Sequence, residues 1–343
     1  MKLRLIPLMM ALLFVSAASA QTPEALTLSG DFGGTHDPSI IKAGDTWYVF
    51  ATGKTPDGGQ FQIRCSTDLH AWKLCGHVFD AIPDWIQKDS PGTRDLWAPD
   101  ISYVKGEFRL YYAYSLFGKN TSGIALATNK TLDPKSPGYH WDDHGLVVRS
   151  VASDDFNCID PNFVTDQKGH AWLVFGSFWN GIRMRRLDDA TGLLSKTDTT
   201  TYALATRKRP ENPGPNEPNL PPNWQAIEAP FIVHHGGYFY LFVSWDMCCR
   251  GTKSTYRTMV GRSKQVTGPY LDQDGVPMSE GGGTQLLSAN QRWLGPGGES
   301  VLMDPRGHDI IVFHAYDAHN GRPALQISTL TWEGGWPHAA LEQ

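Results

Sequence analysis

The sequence predicts an all-β protein, a five-bladed β-propeller around a central channel. Two observations carry this. One phrase occurs five times: an apolar run starting at or near a proline, a glycine-containing turn, and an aromatic-rich returning run. The prolines of the first four copies are also evenly spread, with 61 positions from Pro38 to Pro99, 62 from Pro99 to Pro161 and 69 from Pro161 to Pro230. β-Branched and aromatic runs on either side of a glycine turn read as hairpins. A period longer than one hairpin leaves room for two more strands, and radial repetition of such four-stranded units is a propeller.

Taken in order, the chain opens with a secretory leader, Met1 to Ala20. It has Lys2 and Arg4, an apolar stretch from Leu5 to Val15, and Ala18-Ser19-Ala20 before Gln21. That stretch is too short to span a membrane, and no later segment is long and apolar enough. Residues 21–343 are expected to form one propeller domain. The first copy of the repeat is Thr35 to Phe50, turning at Gly44. The second begins Trp97-Ala98-Pro99-Asp100-Ile101 and turns at Lys105-Gly106. The third begins Ile159-Asp160-Pro161-Asn162-Phe163 and turns at Lys168-Gly169. The fourth begins Ile227-Glu228-Ala229-Pro230-Phe231 and turns at Gly236-Gly237. The fifth and weakest is Gly297-Gly298-Glu299-Ser300-Val301, with a turn at Arg306-Gly307 and a return from Ile310 to His314. After Asp317 the chain is expected to close the ring, with Ala324 to Leu330 as one strand.

Between the copies, the Pro/Asn-rich stretch within Tyr202 to Asn223 reads as a loop, because the repeat resumes at Ile227. Asp246 to Thr258 is a second irregular segment, expected on the face that holds the site. Of the five cysteines, Cys65 and Cys75 flank a turn and are placed to face each other across a hairpin, as an exported chain permits. Cys248 and Cys249 are adjacent, and Cys158 reads as a small buried hydrophobe. Without Cys-x-x-Cys or paired Cys/His spacing, zinc is not expected.

The formal net charge of −5, with no basic run, argues against nucleic acid and polyphosphate partners and suits a neutral substrate. The 12 tryptophans serve either inter-blade packing or sugar stacking. The residues where inner strands start ring the channel on one face. Acids occupy that place in copies one, three and four: Asp37, Asp160 and Glu228. Copy two has Ala98 there, with Asp100 two positions on.

At this point the phrases His36-Asp37-Pro38-Ser39-Ile40, Leu96-Trp97-Ala98-Pro99-Asp100, Ile159-Asp160-Pro161-Asn162, Phe175-Gly176-Ser177-Phe178-Trp179, Ala226-Ile227-Glu228-Ala229-Pro230 and Met247-Cys248-Cys249-Arg250-Gly251 stand together. The chain resembles glycoside hydrolase family 43, most closely its endo-1,5-α-L-arabinanases, over nearly all of its mature length. The resemblance implies the same propeller and an inverting hydrolysis of arabinan. It assigns Asp37 as general base, Glu228 as general acid, and Asp160 as the acid that raises the pKa of Glu228 and orients it. Inversion needs two carboxyl groups roughly 6.5–9.5 Å apart so that water fits between them, and acids on different blades can meet that spacing. A nearby negative charge keeps an acid protonated.

His314 ends the returning strand of copy five and points at the channel. In the similar arabinanases a histidine at this phrase holds a calcium-like ion mainly through water, an unusual site for a cation that prefers oxygen ligands. Trp97, Phe117 and Trp179 are candidates for sugar stacking, and Ser177 and Asn180 for polar sugar contacts, with inter-blade packing the alternative for the aromatics. Glu299 starts copy five with no assigned role, and bears on subsite polarity or on the ion site. The expected partner is arabinan or its oligosaccharides, bound by an exported monomer. An exo-acting arabinofuranosidase or β-xylosidase of the same family is the second reading, and a non-catalytic sugar-binding propeller the third. The absence of an added C-terminal sandwich domain and the Met247-Cys248-Cys249-Arg250 phrase favour the arabinanase.

Overall fold

Successive side chains of a strand face opposite ways, and here both faces are apolar. Val49 joins a cluster with Ile310, Val312 and Leu325. Its neighbours Tyr48 and Phe50 join another with Leu96, Leu110 and Tyr112. Likewise Tyr240 and Phe242 pack with Ile311 and Phe313, whereas Phe239, Leu241 and Val243 pack with Val174, Ile182 and Met184. Strands buried on both faces belong to sheets stacked between two neighbours, and a closed ring of sheets satisfies this for every blade.

The computed structural model describes residues 21–208, 225–304 and 306–343. The leader expected at 1–20 and the Pro/Asn-rich stretch from Arg209 onward lie outside the described residues. Five antiparallel blades follow the five copies. Blade one is His36–Ala43, Thr46–Lys54, Gln60–Ser66 and Ala71–Phe79. Blade two is Leu96–Val104, Glu107–Tyr114, Gly123–Asn129 and Asp142–Arg149, and blade three is Asn162–Thr165, Ala171–Phe175, Ile182–Arg186 and Thr201–Ala205. Blade four is Ile227–His235, Tyr238–Trp245, Arg257–Ser263 and Thr284–Leu287. Blade five has Trp293–Leu302, Ile310–Asp317 and Pro323–Thr329. The expected disulfide joins Cys65 to Cys75 across adjacent strands of blade one, with Cα atoms 6.0 Å apart. Cys158 is buried and free. No helix among the described residues is long and apolar enough to cross a membrane.

The strand expected after Asp317 takes part in closing the ring, and the N-terminal segment, which the sequence did not point to, joins it. Pro323–Thr329 is the third strand of blade five, and the N-terminal segment lies against its outer edge. Leu26 N–H donates to Ile327 O at 2.8 Å, Leu325 N–H to Phe32 O at 2.9 Å and Thr329 N–H to Glu24 O at 2.9 Å. Ser29–Gly30 then pairs in parallel with Ala71–Phe79 of blade one. One segment thus pairs with an outer edge of both the last and the first blade, and gives partners to strand edges that would otherwise be left open.

The prolines explain how the blades stay in phase. The residue after each proline is Ser39, Asp100, Asn162 or Phe231, and Ser300 matches it in blade five. Ser39 accepts the Ile101 amide at 3.0 Å, Asp100 the Phe163 amide at 2.7 Å, Asn162 the Ile232 amide at 2.9 Å and Ser300 the Ile40 amide at 3.1 Å. Each bond runs from one blade to the next. Phe231 has no acceptor, so the series is interrupted between blades four and five.

Candidate active site

Each inner strand carries a kink near the channel. Asp37, Ala98, Asp160, Ala229 and Gly298 have φ of 47°, 45°, 55°, 51° and 61°. Four of the five are not glycine, a left-handed conformation that L-residues reach only with strain and that gathers at functional sites. The strand registers of blades one, two, four and five shift at these places. The kink turns the chain so that flanking side chains reach the channel. It also corrects the repeat alignment: Asp37 and Asp160 occupy the kink itself, whereas Glu228 is one residue earlier and Ala229 is its kink.

Asp37 is held by two donors on one oxygen. The Thr52 hydroxyl donates to Oδ2 at 2.7 Å, and His36 Nδ1 lies 2.9 Å from the same atom. Thr52 in turn accepts the Ala98 amide of blade two at 2.8 Å. Burial by itself would raise the Asp37 pKa, but His36, with help from His314 and Thr52, brings it down to about 2. Asp37 is therefore ionised across the working range of most enzymes.

Glu228 has the opposite character. It is buried, with Ser177 donating to Oε2 at 2.6 Å and the Tyr256 hydroxyl bonded to Oε1. Burial raises its pKa against those two hydroxyls, and the charge of Asp37 adds to the rise. Asp160 accepts the Ala229 amide on Oδ2 at 3.0 Å, and burial first, then Glu228 and Asp37, push it well above the usual carboxylate range. One carboxylate is thus fixed ionised, and a neighbouring buried pair retains a proton.

Below these groups a channel cavity of about 40 Å³ is lined by Asp37, Asp100, Asp160 and Glu299 among others. Burial raises Asp100 to about 7 and Glu299 to about 8. Glu299 is held by Ser244 at 2.9 Å and by Thr258 at 3.4 Å through Oε2. It is a buried, largely protonated acid at neutral pH.

His314 is fully buried at the channel wall. Its Nδ1 accepts the Asp37 amide at 3.2 Å, and Nε2 finds no hydrogen-bond partner. Burial, and then the neighbouring His36, hold its pKa well below the ordinary value, so the ring is neutral.

The pattern of glycosyl hydrolases family 43 matches residues 32–337. The chain belongs to family 43, and it is a glycoside hydrolase. It is similar to the extracellular endo-α-(1→5)-L-arabinanase 1 of Bacillus subtilis, 42% identical over 328 residues that cover 95% of this chain and 93% of the relative. It is likewise similar to the extracellular exo-α-(1→5)-L-arabinofuranosidase ArbA of Cellvibrio japonicus, 44% identical over 311 residues, 88% of this chain and 85% of the relative. Among solved structures, the family 43 endo-arabinanase from Bacillus licheniformis superposes with a TM-score of 0.80 at 44% identity, over 91% of this chain and 99% of that one.

The remaining candidate residues of this family 43 hydrolase fall into two groups. Trp97 and Trp179 are half-buried on blades two and three, and Phe117, on the loop after Glu107–Tyr114, is 83% exposed. Ser177 is not a free polar contact, because it is buried and its hydroxyl is committed to Glu228. Asn180 is tied through Nδ2 to Asp155 at 3.1 Å, and its backbone amide donates to Asp155 O at 2.9 Å.

Sequence reasoning did not find His36, Thr52, Tyr256, Tyr316 or Gly298. Tyr256 and the Cys248–Cys249 disulfide both fall in the irregular segment after blade four's hairpin, which does reach the face of the site as expected. Gly298 has a clearer signal, since it stands at the kink where other copies carry a side chain. A Cβ there would come within 2.8 Å of His314 Nδ1 and 2.9 Å of Asp37 Oδ1. Glycine stands at this kink because His314 and Asp37 occupy the space a side chain would need. Gly298→Ala is expected to displace Asp37 or His314, and a shift of the order of an ångström costs roughly 100-fold in rate. Steady-state kinetics beside a thermal melt check this, and an unchanged kcat would show that the channel wall absorbs the methyl group.

Proposed function

We propose that this hydrolase is an exported endo-1,5-α-L-arabinanase that cleaves internal bonds of arabinan with inversion. The observation that carries the mechanism is the pairing, on one channel, of ionised Asp37 with proton-retaining Glu228. Asp37, with Oδ2 already occupied by Thr52 and His36, takes a proton from water through Oδ1. Glu228 delivers its proton to the leaving glycosidic oxygen. Asp160 shares the pair's single proton with Glu228; in the state with that proton on Glu228, the Asp160 charge keeps it there, and Asp160 accepts the amide of the Ala229 kink that aims Glu228. Inversion follows if water attacks the anomeric carbon opposite the protonated oxygen.

Arabinan as substrate rests on the names of the similar proteins, and export on the leader together with the word extracellular in two of those names. Because one of these is an exo-arabinofuranosidase, exo action is the second reading. Incubation with linear arabinan is expected to release mixed oligosaccharides early, with a new reducing end of anomeric configuration opposite to the substrate bond in proton NMR. Release of a single small product from the first minutes would favour exo action, and retained configuration would reject inversion.

The channel also fits a calcium ion. His314 is neutral and presents a buried, unpartnered Nε2, and Asp37 lies on the same wall. Ligation through Nε2 would place the ring proton on Nδ1, at the expense of the 3.2 Å bond from the Asp37 amide. His314 would hold the ion, with water completing an oxygen-rich shell, and the ion would supply positive charge near the carboxylates. Dialysis against a chelator is expected to lower the melting temperature of the wild type and to leave that of His314→Ala unmoved. Equal responses would return His314 to a purely packing role.

A further inference from the structure

Asp37 is aimed by a chain of hydrogen bonds that begins on a different blade. The Cys249 amide donates to the Tyr316 hydroxyl at 2.8 Å, and Tyr316 Oη lies 2.8 Å from His36 Nε2. His36 Nδ1 lies 2.9 Å from Asp37 Oδ2. Nδ1–H donates to Asp37 in either charge state of the ring, and Tyr316 Oη accepts the Cys249 N–H while meeting Nε2 as donor or acceptor according to that state. The far end is anchored by the disulfide between consecutive residues Cys248 and Cys249, with Cys249 at φ 64° and its sulfur 3.7 Å from His36 Nε2. A ring closed through two neighbouring residues leaves their shared peptide little freedom, so the amide that starts the chain has a fixed direction. The His36 ring also stacks on His314, with centroids 3.8 Å apart.

We propose that His36 is the positioning residue of the general base, held in register by Tyr316 and the Cys248–Cys249 bridge. With Thr52 and His36 both on Oδ2, rotation of the carboxylate is blocked and Oδ1 stays turned to the attacking water. A carboxylate held on one oxygen by two donors from fixed frames is preorganised, and a network of this kind acts as a unit. The inference rests on the reading of Asp37 as general base.

The test separates the two ends of the imidazole. In His36→Asn the amide nitrogen takes the place of Nδ1 and keeps the bond to Asp37. In His36→Gln it takes the place of Nε2 and keeps only the bond to Tyr316. Initial rates on linear arabinan are expected to show kcat lowered roughly 100-fold in His36→Gln and His36→Ala, with KM within about twofold. His36→Asn is expected to recover most of that loss, and Tyr316→Phe to fall between. Reduction of the bridge, verified by mass spectrometry, is expected to lower kcat in the wild type and to leave Tyr316→Phe where it was.

Equal losses in Asn and Gln variants, or a change confined to KM, would overturn the proposal in favour of packing or sugar contact. If His36→Ala fails to fold, the Asn and Gln pair and Tyr316→Phe still decide it, each with its own thermal melt. A wild-type kcat insensitive to reduction would remove the bridge from the chain. Asp37→Ala serves as the separate control. Activity surviving in that variant defeats the general-base reading itself, whereas a dead Asp37→Ala beside fully active His36 variants defeats only the positioning role.

Discussion

Asp37→Ala is expected to lose roughly 10²- to 10⁴-fold in kcat, the range that a positioned general base supplies, while arabino-oligosaccharide binding stays measurable by calorimetry. The expectation follows from the contrast between Asp37 and the other channel acids. Asp100, Asp160, Glu228 and Glu299 are pushed up by burial, and only Asp37 is brought down, to about 2, by His36, His314 and Thr52. It is the carboxylate in the channel equipped to accept a proton at neutral pH. A thousandfold loss corresponds to about 4 kcal/mol of transition-state stabilisation. Near-normal turnover would reject the assignment, and an equal loss of oligosaccharide affinity would move Asp37 to a binding role.

The second large effect belongs to Glu228. Glu228→Gln keeps the shape but cannot deliver a proton, so cleavage of arabinan is expected to fall by a similar 10²- to 10⁴-fold. An aryl arabinoside with an acidic phenol, if accepted as substrate, leaves with little help and its rate should fall far less. Equal losses on both substrates would show that Glu228 acts otherwise than as the acid. The pH dependence has a definite sign. Glu228 works only when protonated, so activity is lost as pH rises through its folded pKa, and the upward shift by burial extends activity to higher pH. Asp160→Asn removes a neighbouring negative charge and should move the alkaline limb to lower pH, one unit corresponding to about 1.4 kcal/mol. Burial is the first cause of the shift, so part of it should persist in that variant. An unmoved limb would leave Asp160 only its bond to the Ala229 amide.

The three acids were legible because each stands one or two residues before a proline in a repeated phrase. Their partners were not. Ser177 and Tyr256 lie 51 and 28 residues from Glu228, and Tyr316 lies 280 residues from His36. No periodicity relates such positions, and a serine or tyrosine looks the same in sequence whether it faces a neighbouring blade or a carboxylate.

The sequence by itself determined the five hairpins, the Cys65–Cys75 link and the acids that ring the channel. These follow from local causes: alternation along a strand, the backbone freedom of glycine at a turn, and cysteines placed on either side of one hairpin. Only the tertiary structure decided which acid is ionised, because that depends on burial and on donors contributed by other blades. It also decided how the ring closes, since the bonds between Glu24 and Thr329 span 305 residues. And it decided that Gly298 must lack a side chain, because His314 faces that space from the paired strand of the same blade and Asp37 comes within reach of it when blade one is set beside blade five.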